Sequence, residues 1–199
     1  MGHEDRIQPE DRAAWRAWLE GHHAEASGVG LVMWKSKSGR PTVSYEEAVE
    51  EALCFGWIDG RTGRVDDERT MVRYSPRRPG STWARSNKQR IERLEAAGQM
   101  TEAGRRVVAA AQADGSWTAL DTAEEMLVPD DLAASLAARP GAREHFDAYT
   151  ASARKMILSW IALAKRPDTR ALRIDRAAQG AERGEPPANL WLRRGEGER

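Results

Sequence analysis

The sequence predicts an α+β protein, with a small antiparallel β-sheet in residues 1–80 packed against a mostly helical part over 81–185. Three observations lead there. Runs of strand character bounded by turn residues, "GVGLVMWKS" and "WIDGRTGRVDDERTMVRYS", both fall within the first 75 residues. Apolar residues spaced three and four apart govern the chain beyond residue 80. The 199-residue chain is long enough to bury a core without disulfides or a metal, so 1–185 reads as a single domain and 186–199 as a tail.

In chain order, Pro9 to Glu20 forms a helix, with Trp15, Trp18 and Leu19 on one face. Gly28 to Ser36 is a short strand and "SKSGRP" a loop. "SYEEAVEEALCF" opens with a capping box of Ser44 and Glu47. Tyr45, Ala48, Val49, Ala52 and Leu53 form its apolar face, and Glu46, Glu47, Glu50 and Glu51 its wet face, until Gly56 ends it. Two strands joined through Asp66 and Asp67 come next. Trp57, Asp59 and Arg61 share a face on the first; Arg69, Met71 and Arg73 share one on the second, with Val72 and Tyr74 opposite.

The prolines of "SPRRPGS" make it a loop. A helix from Ser81 to Ala97 turns Trp83, Ile91 and Leu94 inward and stops at Gly98. Thr101 caps another that ends at "DGSW", and "PDDLAASLAA" and "PGAREHFDAYT" are two shorter ones. The strongest helical stripe is Ala153, Met156, Ile157, Trp160, Ile161 and Ala164; Pro167 breaks that helix and starts the last, which fades by Gly180. In the tail, Leu190, Trp191 and Leu192 are apolar enough to dock.

Composition excludes several classes of function. Lys plus Arg and Asp plus Glu are equal at 31 each, so no global field draws the chain to polyanions or membranes. The one cysteine, Cys54, leaves no disulfide framework and no multi-Cys metal site. "MGHEDRIQPEDRAAW" holds no apolar signal core, and no apolar run approaches the roughly 20 residues of a membrane helix, so a cytoplasmic location with no membrane insertion is expected. His22, His23 and His145 lack metal-ligand spacing, and neither a GxSxG elbow nor a phosphate-loop glycine pattern is present. No metal and no cofactor is expected.

Three blocks carry a family resemblance: "GLVMWKSKSGRPTVSYEEAVEEALCFGWIDG", "YSPRRPGSTWARSNKQRIERLEAAGQMTEAG" and "AKRPDTRALRI". Together they resemble the YdeI/OmpD-associated, or bacteriocin-protection, family over about Trp15 to Gly180. The resemblance implies a cytoplasmic α+β fold and a link to resistance against antimicrobial peptides and envelope stress. It implies no established reaction, cofactor or catalytic residue. Ser36 stands where the family pattern often places a second lysine beside Lys35.

The candidate site lies around "YSPRRPGSTWARSNKQR". A helix starting at Ser81 would present free amides to an anion that Arg77 and Arg78 grip with forked donors, with Trp83 as a stacking ring. Lys35, Trp57, Asp59 and Arg73 complete the candidate set; Trp57 and Trp83 are expected to flank a cleft with part of each ring accessible, and Arg73 to oppose Asp59. Against this stands the plainer expectation of a capping serine, a core tryptophan and arginines paired with Asp59, Asp66 or Asp67. The expected ligand is a small or peptide-borne anion. The rival is an enzyme joining Lys35, Asp59, Arg77 and Arg78 in one cleft; no catalytic residue is assigned, nor any oligomeric state. Single-stranded nucleic acid ranks third, because Asp66 to Glu68 and the glutamate helix cancel the local positive field. Cys54, inward on that helix, is expected to be inert.

Overall fold

The structure, a computed structural model, describes residues 5–185. Two compact units divide between Trp117 and Thr118, where the sequence pattern predicts one domain with its internal boundary at residue 80. The two hydrophobic cores share no residue, one drawn from Trp15 to Ala111 and the other from Ala123 to Ala181.

The first unit is built on a four-stranded sheet of order β1-β2-β4-β3: β1 (Arg6–Ile7), β2 (Val29–Trp34), β3 (Trp57–Arg64) and β4 (Arg69–Pro76). The three longer strands are antiparallel, as their patterning predicts, and β1 adds a two-residue parallel edge that carries no sequence signal of its own. Val29, Leu31, Val72, Tyr74 and Trp57 turn one sheet face into the core.

Helix α1 (Arg12–His22) begins where the Asp11 carboxylate accepts the Ala14 amide at 2.8 Å. Its Trp15 is fully buried and donates from the indole to the Ala48 carbonyl at 3.0 Å, fixing α1 to α2 (Tyr45–Cys54). The predicted capping box of α2 is present in both directions between Ser44 and Glu47. One member of its wet face is not wet. Glu51 is 2% exposed and receives Arg12 Nε at 2.5 Å and Arg16 Nη1 at 2.8 Å. Two arginines on α1 supply the charge that makes this burial tolerable, and helical spacing within α2 carries no trace of them.

Helix α3 (Arg85–Ala96) starts four residues later than predicted. The reason is local. The Ser81 amide donates to the Arg78 carbonyl at 3.1 Å, and Gly80 sits at φ 72°. Arg78–Pro79–Gly80–Ser81 is therefore a tight turn with proline and left-handed glycine at its centre. Its closing bond consumes the amide that a helix start would have left free, and Ala84, at the cap position of α3, makes no side-chain hydrogen bond. Helix α4 (Glu102–Ala113) is capped by Thr101, whose hydroxyl also donates to the Cys54 carbonyl at 2.6 Å. Ile91, Leu94, Met100 and Ala111 from this region pack into the same core as the sheet, so α3 and α4 belong with the strands.

The second unit is helical: α5 (Asp121–Glu124), α6 (Asp130–Ala137), α7 (Ala142–Ala148), α8 (Ala151–Ala162) and α9 (Pro167–Glu182). Leu132, Leu136, Phe146, Ile157, Leu158, Ile161 and Ile174 form its centre. The buried face of α8 is rotated from the predicted stripe. Leu158 is inside, Met156 is exposed, and Trp160 is only partly buried beneath Arg173, whose Cζ lies 5.3 Å from its ring centre. A wide apolar arc lets neighbouring helices decide which part of it is covered. Leu190, Trp191 and Leu192 lie outside the described residues.

Candidate functional site

The stretch after β4 forms the site. The Arg77 amide donates to the Gly56 carbonyl at 3.0 Å, carrying the chain past the strand end before the Pro79–Gly80 turn reverses it. The Arg77 guanidinium then lies over the Trp83 ring, Cζ 3.7 Å from the centroid, while Nη1 and Nη2 donate to the Thr82 carbonyl at 3.2 and 3.4 Å. Its Nε is buried without a hydrogen-bond partner. Trp83 meets Trp117 at 4.9 Å, and Lys88 Nζ lies 5.3 Å from the Trp117 ring. Cations and indoles thus alternate: Arg77, Trp83, Trp117, Lys88. Trp83 is 1% exposed, which corrects the expectation of an accessible ring; its faces are already covered by Arg77 and Trp117.

A cavity of about 80 Å³ opens beside this stack. The loop contributes Arg77, Arg78, Gly80 and Ser81, α4 contributes Val107, Ala110 and Ala111, and the segment after α4 contributes Asp114 and Ser116. Gly115, at φ 78°, reverses the chain there, and the Trp117 amide returns to the Ala111 carbonyl at 3.0 Å. Asp114 accepts the Gly80 amide at 3.1 Å and the Ser116 amide at 2.8 Å, tying the loop to the end of α4. The Ser116 hydroxyl is buried with no partner. Burial pulls the Arg77 pKa down to about 10, partly offset by Asp59 nearby.

The other expected members are dispersed. Lys35 donates to the Asp66 and Asp67 carbonyls at 3.3 and 2.9 Å, beside the β3–β4 turn. The eight-residue β4 separates that end of the sheet from Arg77, roughly 25 Å along the strand. The cleft joining Lys35 to Arg77 and Arg78 therefore does not form. Trp57 is 1% exposed, its indole donating to the His23 carbonyl at 3.2 Å, which corrects the second expected accessible ring. Asp59 pairs across the strands with Tyr74, not Arg73, and accepts the Tyr45 hydroxyl at 2.7 Å. A bulge between Asp59 and Thr62 shifts the register there. Arg73 pairs with Gly30 and reaches over Gly28, where a Cβ would meet its Nη2 at 2.6 Å. Ser81 lines the cavity but caps nothing.

A second polar cluster surrounds Asp59. Burial and the Asp59 carboxylate push the Tyr45 phenol up to about 12, and the wholly buried Tyr74 hydroxyl, also raised, has no partner. The cations further along α3 are consumed by α2: Arg90 reaches Glu46 at 2.6 Å, and Arg93 reaches Glu50 at 3.1 Å. Sequence reasoning missed Asp114, Ser116 and Tyr45 as neighbours of the candidate residues. The pattern "DGSW" holds an Asx-type turn signal for the first two, but nothing in it points to residue 80.

Residues 7–107, just over half the chain, match the model of a domain of unknown function, DUF8412. The chain belongs to that family. The DUF8412 region ends within the first unit, and residues 125–184, in the second, match the bacteriocin-protection, YdeI or OmpD-associated family. The resemblance to that family is thereby supported on the C-terminal part, whereas the first two of the three blocks fall entirely within the DUF8412 match. No curated protein and no solved structure matches the chain.

Proposed function

We propose that this DUF8412 protein is a cytoplasmic resistance or stress protein that binds a small or peptide-borne anion at the Arg77–Arg78 cavity. Arg77 carries the reading. Its guanidinium is largely buried and has an orphaned Nε, and no carboxylate of the described residues lies within ion-pair distance of it or of Arg78. Arg90 and Arg93, on the next helix, are paired. A desolvated cation with no carboxylate in contact, its burial only partly offset by Asp59, carries a standing penalty that an arriving anion removes. The 80 Å³ cavity admits an oxyanion or a carboxylate group. The link to resistance rests on the family match of residues 125–184. With Lys35 at the other end of the sheet and Asp59 accepting from Tyr45, the enzymatic rival's Lys35–Asp59–Arg77–Arg78 cleft is not assembled among the described residues, and pairing of Arg90 and Arg93 with α2 weakens a nucleic-acid face.

Thermal unfolding in increasing sulfate or phosphate tests the site, since a ligand at 100 times its Kd adds about 2.7 kcal/mol to stability. The double variant Arg77→Met, Arg78→Met is expected to unfold cooperatively and to lose the anion-dependent shift. An undiminished shift in that variant overturns the proposal.

A further inference from the structure

One face of α3 and one face of α4 look across a groove of about 570 Å³, within the size of small-molecule sites. Glu92, Glu95 and Ala96 line it from α3, and Arg105, Val108 and Ala109 from α4, each set at helical spacing. It shares no lining residue with the arginine cavity. Its floor is apolar: Ile91 and Met100 are buried, and Val108 and the Trp117 ring are half-buried. The charges around it do not cancel. Arg105 Nε donates to both Glu95 oxygens, at 2.9 and 3.1 Å, which neutralises that pair. Glu92 has no side-chain hydrogen bond and no ion pair among the described residues, so one carboxylate is left over an apolar floor.

We infer that this groove binds an aromatic monoamine, a ring joined through two carbons to an ammonium, with the ring against Trp117 and the ammonium at Glu92. Charge decides which way round it lies. Lys88 Nζ is 5.3 Å from the Trp117 ring centre, so a ligand cation is repelled from the ring and sent to the free carboxylate. Lys88 and Glu92 are four residues apart on α3, about 6 Å along its axis, a separation that a two-carbon link spans. A ring at Trp117 extends the tilted contact that Trp117 already makes with Trp83 at 4.9 Å. A carboxylate on the ligand would meet Glu92 and be rejected, whereas a neutral ligand keeps the apolar contacts and gives up only the charge pair. Glu92 is exposed, so that pair contributes modestly and the apolar floor supplies most of the binding.

The inference is independent of the anion at Arg77 and Arg78. Titration of the full chain with phenethylamine, followed at the Trp117 indole resonance by two-dimensional NMR, tests it. Phenethylamine is expected to bind about two- to fivefold more tightly than 2-phenylethanol, the effect of one exposed charge pair. Ethylamine, which lacks the ring, and 3-phenylpropanoate, which reverses the charge, are expected not to saturate. Glu92→Gln should bring phenethylamine to the affinity of 2-phenylethanol and leave that of the alcohol unchanged, which also shows that the variant is folded. Glu92→Lys should turn the preference to 3-phenylpropanoate. Equal binding of amine and alcohol by the natural chain overturns the proposal, as does a saturable titration that leaves the Trp117 indole unmoved. Failure of both to bind overturns it too, and a dimer in sedimentation that Glu92→Lys disrupts would then assign the groove to a second copy of the chain. The comparison of amine with alcohol needs no variant, so a folding defect in either substitution leaves the test intact.

Discussion

Glu51 and Cys54 lie one turn apart on α2 and are both buried, yet one is charged and one is not. Glu51 stays inside because Arg12 and Arg16 reach it from α1. Removing its charge strands two cations, though each remains about a third exposed and keeps a second acid in Glu50 or Glu20. Glu51→Gln should therefore cost about 2–3 kcal/mol in urea unfolding, at or below the range for breaking a fully buried pair. Burial, with Glu51 adding to it, pushes the Cys54 thiol up to about 11. Because the folded pKa lies above the unfolded one, the stability tied to this thiol is full below about 9 and is lost as pH rises toward 11. Labelling by a thiol reagent at pH 7 should run far slower in the native protein than after unfolding; equal rates would mean an accessible thiolate. Arg77→Met should leave unfolding free energy within about 1 kcal/mol of the natural chain. Relief from burying the charge there offsets the lost contacts with Thr82 and Trp83.

At the scale of elements, helix starts show which local signals are reliable. Ser44 caps α2 and Ser81 caps nothing, although both precede helical patterns. Ser44→Ala is expected to cost about 1 kcal/mol, and Ser81→Ala to stay within about 0.5 kcal/mol. A comparable loss at Ser81 would mean that it supports a helix start after all. The approach of α4 to the end of α2 depends on the absence of a side chain at Gly104. A Cβ there would stand 2.3 Å from the Cys54 carbonyl oxygen, a backbone atom that cannot rotate away. Gly104→Ala should destabilise the first unit by about 2 kcal/mol or more, against a gain of under 1 kcal/mol from helix propensity alone. Denaturant midpoints for the three alanine variants measure these differences directly.

At the scale of the molecule, two cores with no common residue imply two cooperative bodies. A chain ending at Trp117 should fold by itself, with a single unfolding transition and the Trp83–Trp117 pair intact in near-ultraviolet circular dichroism. A fragment lacking that signal would show that the first unit needs the rest of the chain. The boundary also coincides with the gap between the two family matches, 7–107 and 125–184. That gap holds no Pro/Gly-rich linker, so composition could not mark it; only the partition of the buried side chains does.

The sequence by itself determined the α+β class, the three longer strands, the capping box at Ser44, the helix stop at Gly56 and the proline start of α9. Each depends on residues within a few positions of one another, where backbone sterics and periodicity act directly. Tertiary structure decided the rest. It paired Glu51 with arginines some 35 residues away, set Asp59 against Tyr74 through a bulge, and brought Asp114 to the Gly80 amide from 34 residues along the chain. It also sent Lys35 to the far end of the sheet from Arg77. Such partners meet only when the elements pack, because a side chain's burial and charge environment are properties of all the surfaces that close around it, and local spacing encodes only its own.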